Sequence, residues 1–190
     1  MNPFKSLYRS GADWFSVGLT SSFPDLGDED GSLSEPRTCN AEVKPGCKVF
    51  HVPATDSSES TEVLLTDDPL DPADMVGVSK SQVLVFQYKG KFHAVDHECP
   101  HSSFPLSRGA TFDIEDFGVI LSAGLTCPKH GWSFDLFTGT SDRGNYRLQV
   151  WEVQLRDIKS ALSFLSTGKA DTASDSTDKE VWVRRKQRMG

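Results

Sequence analysis

Two short segments of the chain each place a cysteine close to a histidine. Cys99 lies two positions before His101, and Cys127 lies three positions before His130. Both pairs follow predicted strands and lie in loops punctuated by proline and glycine. Thiolate and imidazole ligands select iron, zinc or copper over calcium or magnesium, and two of each suit either one tetrahedral ion or a two-iron cluster. The fold must therefore bring two separate loops together around a metal.

The spacing of these residues favours the two-iron cluster over a zinc finger. Residues 102–126, twenty-five positions, separate the two pairs. A zinc finger usually pairs cysteine with cysteine and histidine with histidine, whereas here each loop contributes one of each. Two such loops can cover a [2Fe–2S] core from opposite sides, so that one iron receives two sulfurs and the other two nitrogens.

The length and charge of the chain limit its class. A chain of 190 residues fits one domain that needs no disulfides to build a core. Its 20 Lys and Arg residues against 27 Asp and Glu residues give a net charge of −7. This charge argues against nucleic acid or an anionic membrane as the main partner. The four cysteines stand at unlike spacings and do not indicate a disulfide scaffold, so we expect a reducing compartment.

The sequence indicates no secretory signal and no membrane span. Its first residues lack an apolar core, and the longest nearly uncharged apolar stretch, 117–125, is about half the length needed to cross a bilayer. We therefore expect a soluble, cytoplasmic protein. An organelle is the alternative, because Lys5 and Arg9 stand in a start that contains no acidic residue.

Turn residues divide the sequence into short apolar runs without a helical stripe, which predicts an all-β fold. A hairpin turn is expected at Lys89-Gly90. The stretches 21–45 and 54–74 are expected to be surface loops, and 167–179 a flexible insert. The predicted strands are 14–19, 48–52, 82–88, 91–95, 119–121, 125–127, 133–137, 148–155 and 181–185.

The two loops resemble those of the Rieske family, whose pattern is Cys-x-His in a first loop and Cys-x-x-His in a second. The first loop continues with Pro105-Leu106 and closes on Gly109, and the second continues from Gly131 to Gly139, as in that family. The resemblance implies a Rieske fold, an antiparallel β-sandwich or barrel-like base with a small inserted cluster-binding subdomain.

The resemblance also implies the domain limits. Residues 14–186 are expected to form one Rieske domain, preceded by an N-terminal tail at 1–13. The cluster-binding loops are expected at about 97–109 and 125–139.

Carried over to this sequence, the family pattern implies one [2Fe–2S] cluster per chain. Cys99 and Cys127 are then expected to bind the buried iron, and His101 and His130 the outer one. The family pattern further implies that residues of the second loop surround the cluster. These are Pro128, Gly131, Trp132 and Phe134.

The sequence departs from the respiratory members of the family. Those proteins carry an extra cysteine in each loop, where this chain has Phe104 and Lys129, so no disulfide can join the loops. They also offer hydroxyl groups where this chain has Trp132 and Phe134, and we expect a low, ferredoxin-like potential. At Ser103 the family commonly has glycine, which bears on how closely that backbone approaches the cluster.

The resemblance implies a ferredoxin that carries single electrons between a reductase and an acceptor such as an oxygenase. It is expected to be the electron-transfer component of an oxidoreductase system, without catalytic activity of its own. Two alternatives stay open: a cluster-based redox sensor or regulatory subunit, and a metal-stapled interaction module that transfers no electrons.

Other candidate residues receive simpler interpretations. His93 and His97 precede the first loop and are expected to have no metal role, and Cys39 and Cys47 are expected to be free thiols. The acidic groups at 25–30, 67–74 and 113–116 are expected to be solvated loops, although docking of a basic reductase is an alternative use for them.

Overall fold

The computed structural model describes residues 14–27, 32–39, 42–65, 81–158 and 178–186. Within these ranges the chain forms strands and short 3-10 segments, and no α-helix occurs there. The strands are β1 (Phe15–Leu19), β2 (Pro36–Cys39), β3 (Glu42–Pro45), β4 (Cys47–His51), β5 (Thr61–Val63), β6 (Gln82–Tyr88), β7 (Lys91–Asp96), β8 (Ala110–Asp116), β9 (Val119–Cys127), β10 (Trp132–Asp135), β11 (Glu152–Asp157) and β12 (Lys179–Arg184). The 3-10 segments are Thr20–Ser22, Ser57–Glu59 and Leu106–Arg108.

A four-stranded antiparallel sheet, in the order β5-β4-β6-β7, occupies the middle of the fold. Strand β6 is buried on both faces, and its alternate side chains enter two different cores because successive residues of a strand point in opposite directions. Val83 and Val85 pack in the base core, whereas Leu84 and Phe86 pack in the loop core. The base core comprises Phe15, Val17, Phe23, Phe50, Val52, Val83, Val85, Ala94, Trp151, Val181 and Val183. The loop core comprises Leu26, Leu33, Cys47, Val49, Leu84, Phe86, Tyr88, Val95, Cys99, Leu106, Ala123, Leu125, Cys127, Phe134, Leu136 and Leu148.

A second antiparallel sheet, in the order β1-β12-β11, covers the base core. Phe15 of β1 packs edge to face on Phe50 and Trp151, with ring centroids 6.3 and 6.4 Å apart. Trp151 also donates from its indole Nε1 to Asp96 Oδ1 at 2.7 Å. This contact fixes the end of β7, the point from which the first loop departs.

The third sheet, in the order β10-β9-β8, is inserted in the chain between β7 and β11. Its long central strand, β9, ends at Cys127, and the second loop connects it to β10. Cys99 and Cys127 both belong to the loop core. The arrangement confirms the predicted all-β fold with a small inserted subdomain.

The structure corrects the prediction of surface loops at 21–45 and 54–74. Leu33 is buried, and its backbone N–H donates to the carbonyl of Gly109 at 2.8 Å, so this stretch packs against the end of the first loop. Strands β2 and β3 pair within the same region. In the second stretch, Ser57 is buried and β5 pairs with β4. Backbone hydrogen bonds order the described parts of both stretches, and such bonds leave no apolar pattern in the sequence. Residues 28–31, 40, 41 and 66–74 lie outside the described residues.

Several strand predictions also need correction. The runs 119–121 and 125–127 belong to one strand, β9, and strand β8 was not predicted at all. Predicted strand 133–137 is β10, which ends at Asp135, and predicted strand 148–155 is β11, which begins at Glu152. Most of the expected flexible insert at 167–179, up to position 177, lies outside the described residues. Its last residue, Lys179, is the first residue of strand β12. The expected tail at 1–13 also lies outside the described residues.

The hairpin at Lys89-Gly90 is confirmed. It joins β6 to β7, and both residues have positive φ angles, 47° and 73°. Among the described residues, none belongs to a helix that is long and apolar enough to cross a membrane.

Candidate metal centre

The two cysteines of the candidate site lie together in the loop core. Cys99 is 0% and Cys127 1% exposed. Burial raises the pKa of the Cys127 thiol, and the adjacent Cys99 raises it further, while the Lys129 backbone N–H lowers it. A buried thiol with a raised pKa stays protonated unless a cation is bound beside it. The Cys127 thiol is therefore expected to give up its proton only to a bound metal.

The two histidines lie together on the outer side of the thiols. The ring centroids of His101 and His130 are 5.1 Å apart. His101 is partly buried and His130 is exposed. The four candidate donors thus form two tiers, with sulfur inside and imidazole outside.

Aromatic side chains cover His101. The indole of Trp132 stacks on its ring with centroids 4.3 Å apart and an interplanar angle of 15°. Tyr146 contacts both rings edge to face, at 5.3 Å from His101 and 5.1 Å from Trp132. The contacts restrict the orientation of the His101 ring and shield one of its faces from water.

Backbone hydrogen bonds shape the first loop. The Cys99 N–H donates to the Phe104 carbonyl at 2.9 Å, and the Ser103 N–H donates back to the Cys99 carbonyl at 2.8 Å. Ser103 has a φ of 51°, in the left-handed region that favours glycine. The family's glycine preference at this position therefore reflects a turn that this chain makes with serine.

The second loop depends on two glycines. Gly131 has a φ of 67°, and its N–H donates to the Cys127 carbonyl at 3.0 Å. Gly144, with a φ of 66°, lies beside Trp132, and a Cβ at this position would approach the indole to 2.8 Å. Arg143 ties the two segments together by donating to the Gly131 carbonyl at 2.9 Å.

The two loops touch at the positions where the respiratory proteins have their extra cysteines. Lys129 Nζ lies 5.8 Å from the ring centroid of Phe104. This distance is within the range of a cation–π contact. A noncovalent pair thus stands where those proteins place a disulfide.

His97 anchors the first loop from below. Its ring is fully buried, with Nδ1 2.9 Å from Gln82 Oε1 and Nε2 2.8 Å from Ser107 Oγ. Its carbonyl accepts from the Leu106 N–H at 2.8 Å. His93 is also buried and stacks on Phe86 with centroids 5.6 Å apart. Both histidines pack inside the protein and stand apart from the His101–His130 pair.

A family model for the Rieske [2Fe-2S] domain matches residues 58–151, a range that contains both loops. The chain carries a Rieske domain. Its cofactor is a [2Fe–2S] cluster, and its all-β architecture is the Rieske fold.

The Rieske domain is similar to several known proteins. It is 33% identical over 85 residues to the ferredoxin component of an alkene monooxygenase system from Xanthobacter autotrophicus, covering 44% of this chain and 63% of that protein. It is 40% identical over 62 residues to a human Rieske domain-containing protein, covering 33% and 36% of the two chains. It is 33% identical over 64 residues to the methanesulfonate monooxygenase ferredoxin subunit of Methylosulfonomonas methylovora, covering 34% and 46%. The chain spans less than two thirds of the length of each of these relatives.

The residues present fit a Rieske cluster. Within the part of the chain that the structure describes, His101 Nδ1 is buried and has no hydrogen-bond partner. Such a nitrogen costs about 1–3 kcal/mol when it is left unpaired, and binding iron removes this cost. No three His, Cys, Asp or Glu side chains of the described residues gather as around one metal ion. A two-iron cluster does not need such a group, because each iron takes only two protein donors.

The structure places the residues expected around the cluster in different environments. Trp132 and Phe134 pack inward, Phe134 with no exposure at all, while Pro128 and Gly131 lie exposed on the second loop.

Other residues near the donors were not predicted from the sequence. Ser102 places its hydroxyl 3.9 Å from Cys127 Sγ, and Tyr146 contacts His101. Arg143 and Gly144 reach the second loop from a third segment. Gly144 was the one sequence feature that could have indicated this segment, because a glycine beside charged and aromatic residues is typical of a turn.

Proposed function

We propose that this protein is a one-electron carrier whose [2Fe–2S] cluster is bound by Cys99 and Cys127 through one iron and by His101 and His130 through the other. When bound, the cluster supplies reversible one-electron redox chemistry. The chain's residues hold it between two loops, keep water from the sulfur side and direct the imidazole side toward solvent.

The two-tier arrangement of the donors is the observation that supports this proposal most directly. The thiols are buried, whereas His130 is exposed and His101 lies only partly covered. Electron transfer between proteins needs a short path rather than a substrate pocket. Imidazole edges at the surface provide that path, because a partner can approach them without any movement of the fold.

We further propose that the partners are a reductase as donor and an acceptor such as an oxygenase. Two of the relatives are, by name, ferredoxin components of monooxygenase systems. The proposal extends their role to this chain, whose Rieske domain matches part of each.

The surroundings of the thiols support a low reduction potential. Phe134, fully buried in the loop core, offers no hydroxyl to the cluster, and the Lys129–Phe104 contact replaces a disulfide. Fewer hydrogen bonds to sulfur leave the reduced state less stabilised. The Ser102 hydroxyl, at 3.9 Å from Cys127 Sγ, is a weak opposing contribution. We therefore expect a potential below that of the hydrogen electrode.

Metal analysis and redox titration test the function. Anaerobically purified protein is expected to contain two irons and two acid-labile sulfides per chain and to take up one electron reversibly over repeated cycles. Cys99→Ser should lose the visible absorption. Cys47→Ala is the matched control, because Cys47 is also a buried free thiol but lies in strand β4. One zinc per chain without sulfide, or equal spectra for the two variants, would contradict the proposal.

A further inference from the structure

The surface around the two histidines carries positive charge. Lys129, Arg143 and Arg147 are exposed in the second loop and in the segment that packs against it. Lys129 is next to His130 in the chain, and Arg143 lies 5.8 Å from the ring centroid of Trp132. Arg147 follows Tyr146, and its Nε donates to the Thr138 carbonyl of the second loop at 3.1 Å. We call these three residues the basic rim.

Few acidic residues stand in the loops that carry the rim, and Glu98, the acid of the first loop, is only partly exposed. Asp142 is the one acid in segments 127–132 and 142–147, where it pairs with Arg143 at 2.9 Å. Asp135 turns its carboxylate into its own loop and accepts from the N–H groups of Phe137 and Thr138. Three cations against one acid leave these two segments net positive.

This local charge is opposite to that of the whole chain, which is −7. Exposed acids stand instead at the far end of the β8–β9 hairpin, at Glu115 and Asp116. Strand β9 has nine residues between that turn and Cys127, a separation of about 27 Å at the usual rise per residue. This exceeds the screening length of about 10 Å at 0.1 M salt, so a molecule near the histidines experiences mainly the rim.

We infer that the electron-transfer partner of this protein docks an acidic surface on the basic rim, with its own redox centre facing His130 and the Trp132–Tyr146 pair. The inference rests on the proposed function, since it assigns the partner's charge at the same site. It also differs from the alternative in which a basic reductase docks on the acidic groups. The acidic groups that the structure describes do not adjoin the histidines. Asp25, for example, accepts from the Gly90 N–H at 2.7 Å.

Small redox ions of opposite charge test the inference without a known partner. In stopped-flow oxidation of the reduced holoprotein, each cluster gives one electron to ferricyanide, which becomes ferrocyanide. With the rim governing approach, this rate should fall about three-fold or more as ionic strength rises from about 0.05 to 0.5 M. The rate with the cation hexaamminecobalt(III) should rise. A ferricyanide rate that rises with ionic strength would show that the net charge governs approach and would overturn the inference.

Charge variants localise the effect. Lys129→Gln and Arg147→Gln should each slow ferricyanide about two-fold at low ionic strength, and Lys129→Arg should restore the rate. Lys179→Gln removes the same charge from β12, in a different sheet, and should leave the rate unchanged. Equal slowing by Lys179→Gln would contradict a local effect.

A second readout does not use electron transfer. The redox-inert paramagnetic anion hexacyanochromate(III) should broaden amide NMR signals at 142–147 in the oxidised holoprotein, and hexaamminechromium(III) should broaden those near Glu115 and Asp116 instead. Broadening by the anion elsewhere would overturn the rim as the docking surface. Protein that lacks iron or takes up no electron would fail the proposed function itself.

Discussion

Ser103 holds a backbone conformation that favours glycine, with a φ of 51° in the turn between Cys99 and Phe104. A side chain in this region costs about 1 kcal/mol or more, because Cβ crowds the neighbouring carbonyl. Ser103→Gly should therefore raise the free energy of unfolding of the holoprotein by about 0.5–1 kcal/mol. Ser103→Ala keeps the Cβ and serves as the control in thermal or urea unfolding. If the glycine variant is no more stable than the alanine variant, the loop is not strained at this residue.

His93 makes stability depend on pH. Its pKa is lowered from 6.5 to about 4, chiefly by burial, with a smaller contribution from nearby Lys91 and an opposing one from Asp135. The unfolded chain binds a proton below pH 6.5, but the folded protein does not do so until about pH 4. The contribution of His93 is therefore fully present above pH 6.5 and is lost as the pH falls toward 4, at up to about 1.4 kcal/mol per pH unit.

His93→Phe removes this titration and keeps an aromatic ring between Phe86 and Phe137, which both contact His93. The difference in unfolding free energy between wild type and variant should change between pH 7 and 5.5, with wild type losing more. Urea unfolding followed by circular dichroism measures it. Parallel pH profiles would mean that His93 is protonated in the folded state as well.

Residue chemistry explains why the four candidate donors could be found in the sequence. Cysteine and histidine at these spacings have few structural reasons to occur together, so the motif by itself indicates metal binding. The aromatic cover on His101 could not be found in this way, because Tyr146 reaches it from a separate segment. Contacts of that kind depend on the packing of three loops and leave no local pattern.

At the scale of elements, the β8–β9 hairpin extends away from the loop core. Phe117, in its turn, is fully exposed, whereas Phe134 of β10 is fully buried. Phe117→Ala should change the free energy of unfolding by no more than about 0.5 kcal/mol. Phe134→Ala should cost about 3–5 kcal/mol, because it leaves a cavity beside the cysteines. Chemical denaturation of the two variants compares the same substitution in both environments, and similar losses would show that the hairpin turn packs against the body.

The strands that could be predicted from the sequence differ from the others in how apolar they are. Strand β6 contains the apolar run 83–86 and was predicted with its correct bounds. Strand β8 is largely polar and partly exposed, and it is held by its backbone pairing with β9. The β2–β3 hairpin has the same character. Backbone hydrogen bonds need no particular side chain, so such strands cannot be predicted from apolar periodicity.

In the whole molecule, strand β6 contributes side chains to two cores. The candidate cluster site belongs to the loop core, whereas the first and last strands, β1 and β12, pack on the base core. The sheet β1-β12-β11 supports the base core, while both cysteines lie in the loop core. The resemblance predicted this division into base and subdomain. It did not predict the uneven charge, because the net value of −7 conceals a basic rim beside the histidines.

The proposed function depends on one two-iron cluster held by two thiols and two imidazoles of this chain. Pulsed electron paramagnetic resonance of the dithionite-reduced holoprotein tests it most directly. We expect hyperfine couplings from two directly bound histidine nitrogens, one of which disappears in His101→Cys. A reduced cluster without nitrogen coupling, or a protein that gives no paramagnetic signal after reduction, would contradict it.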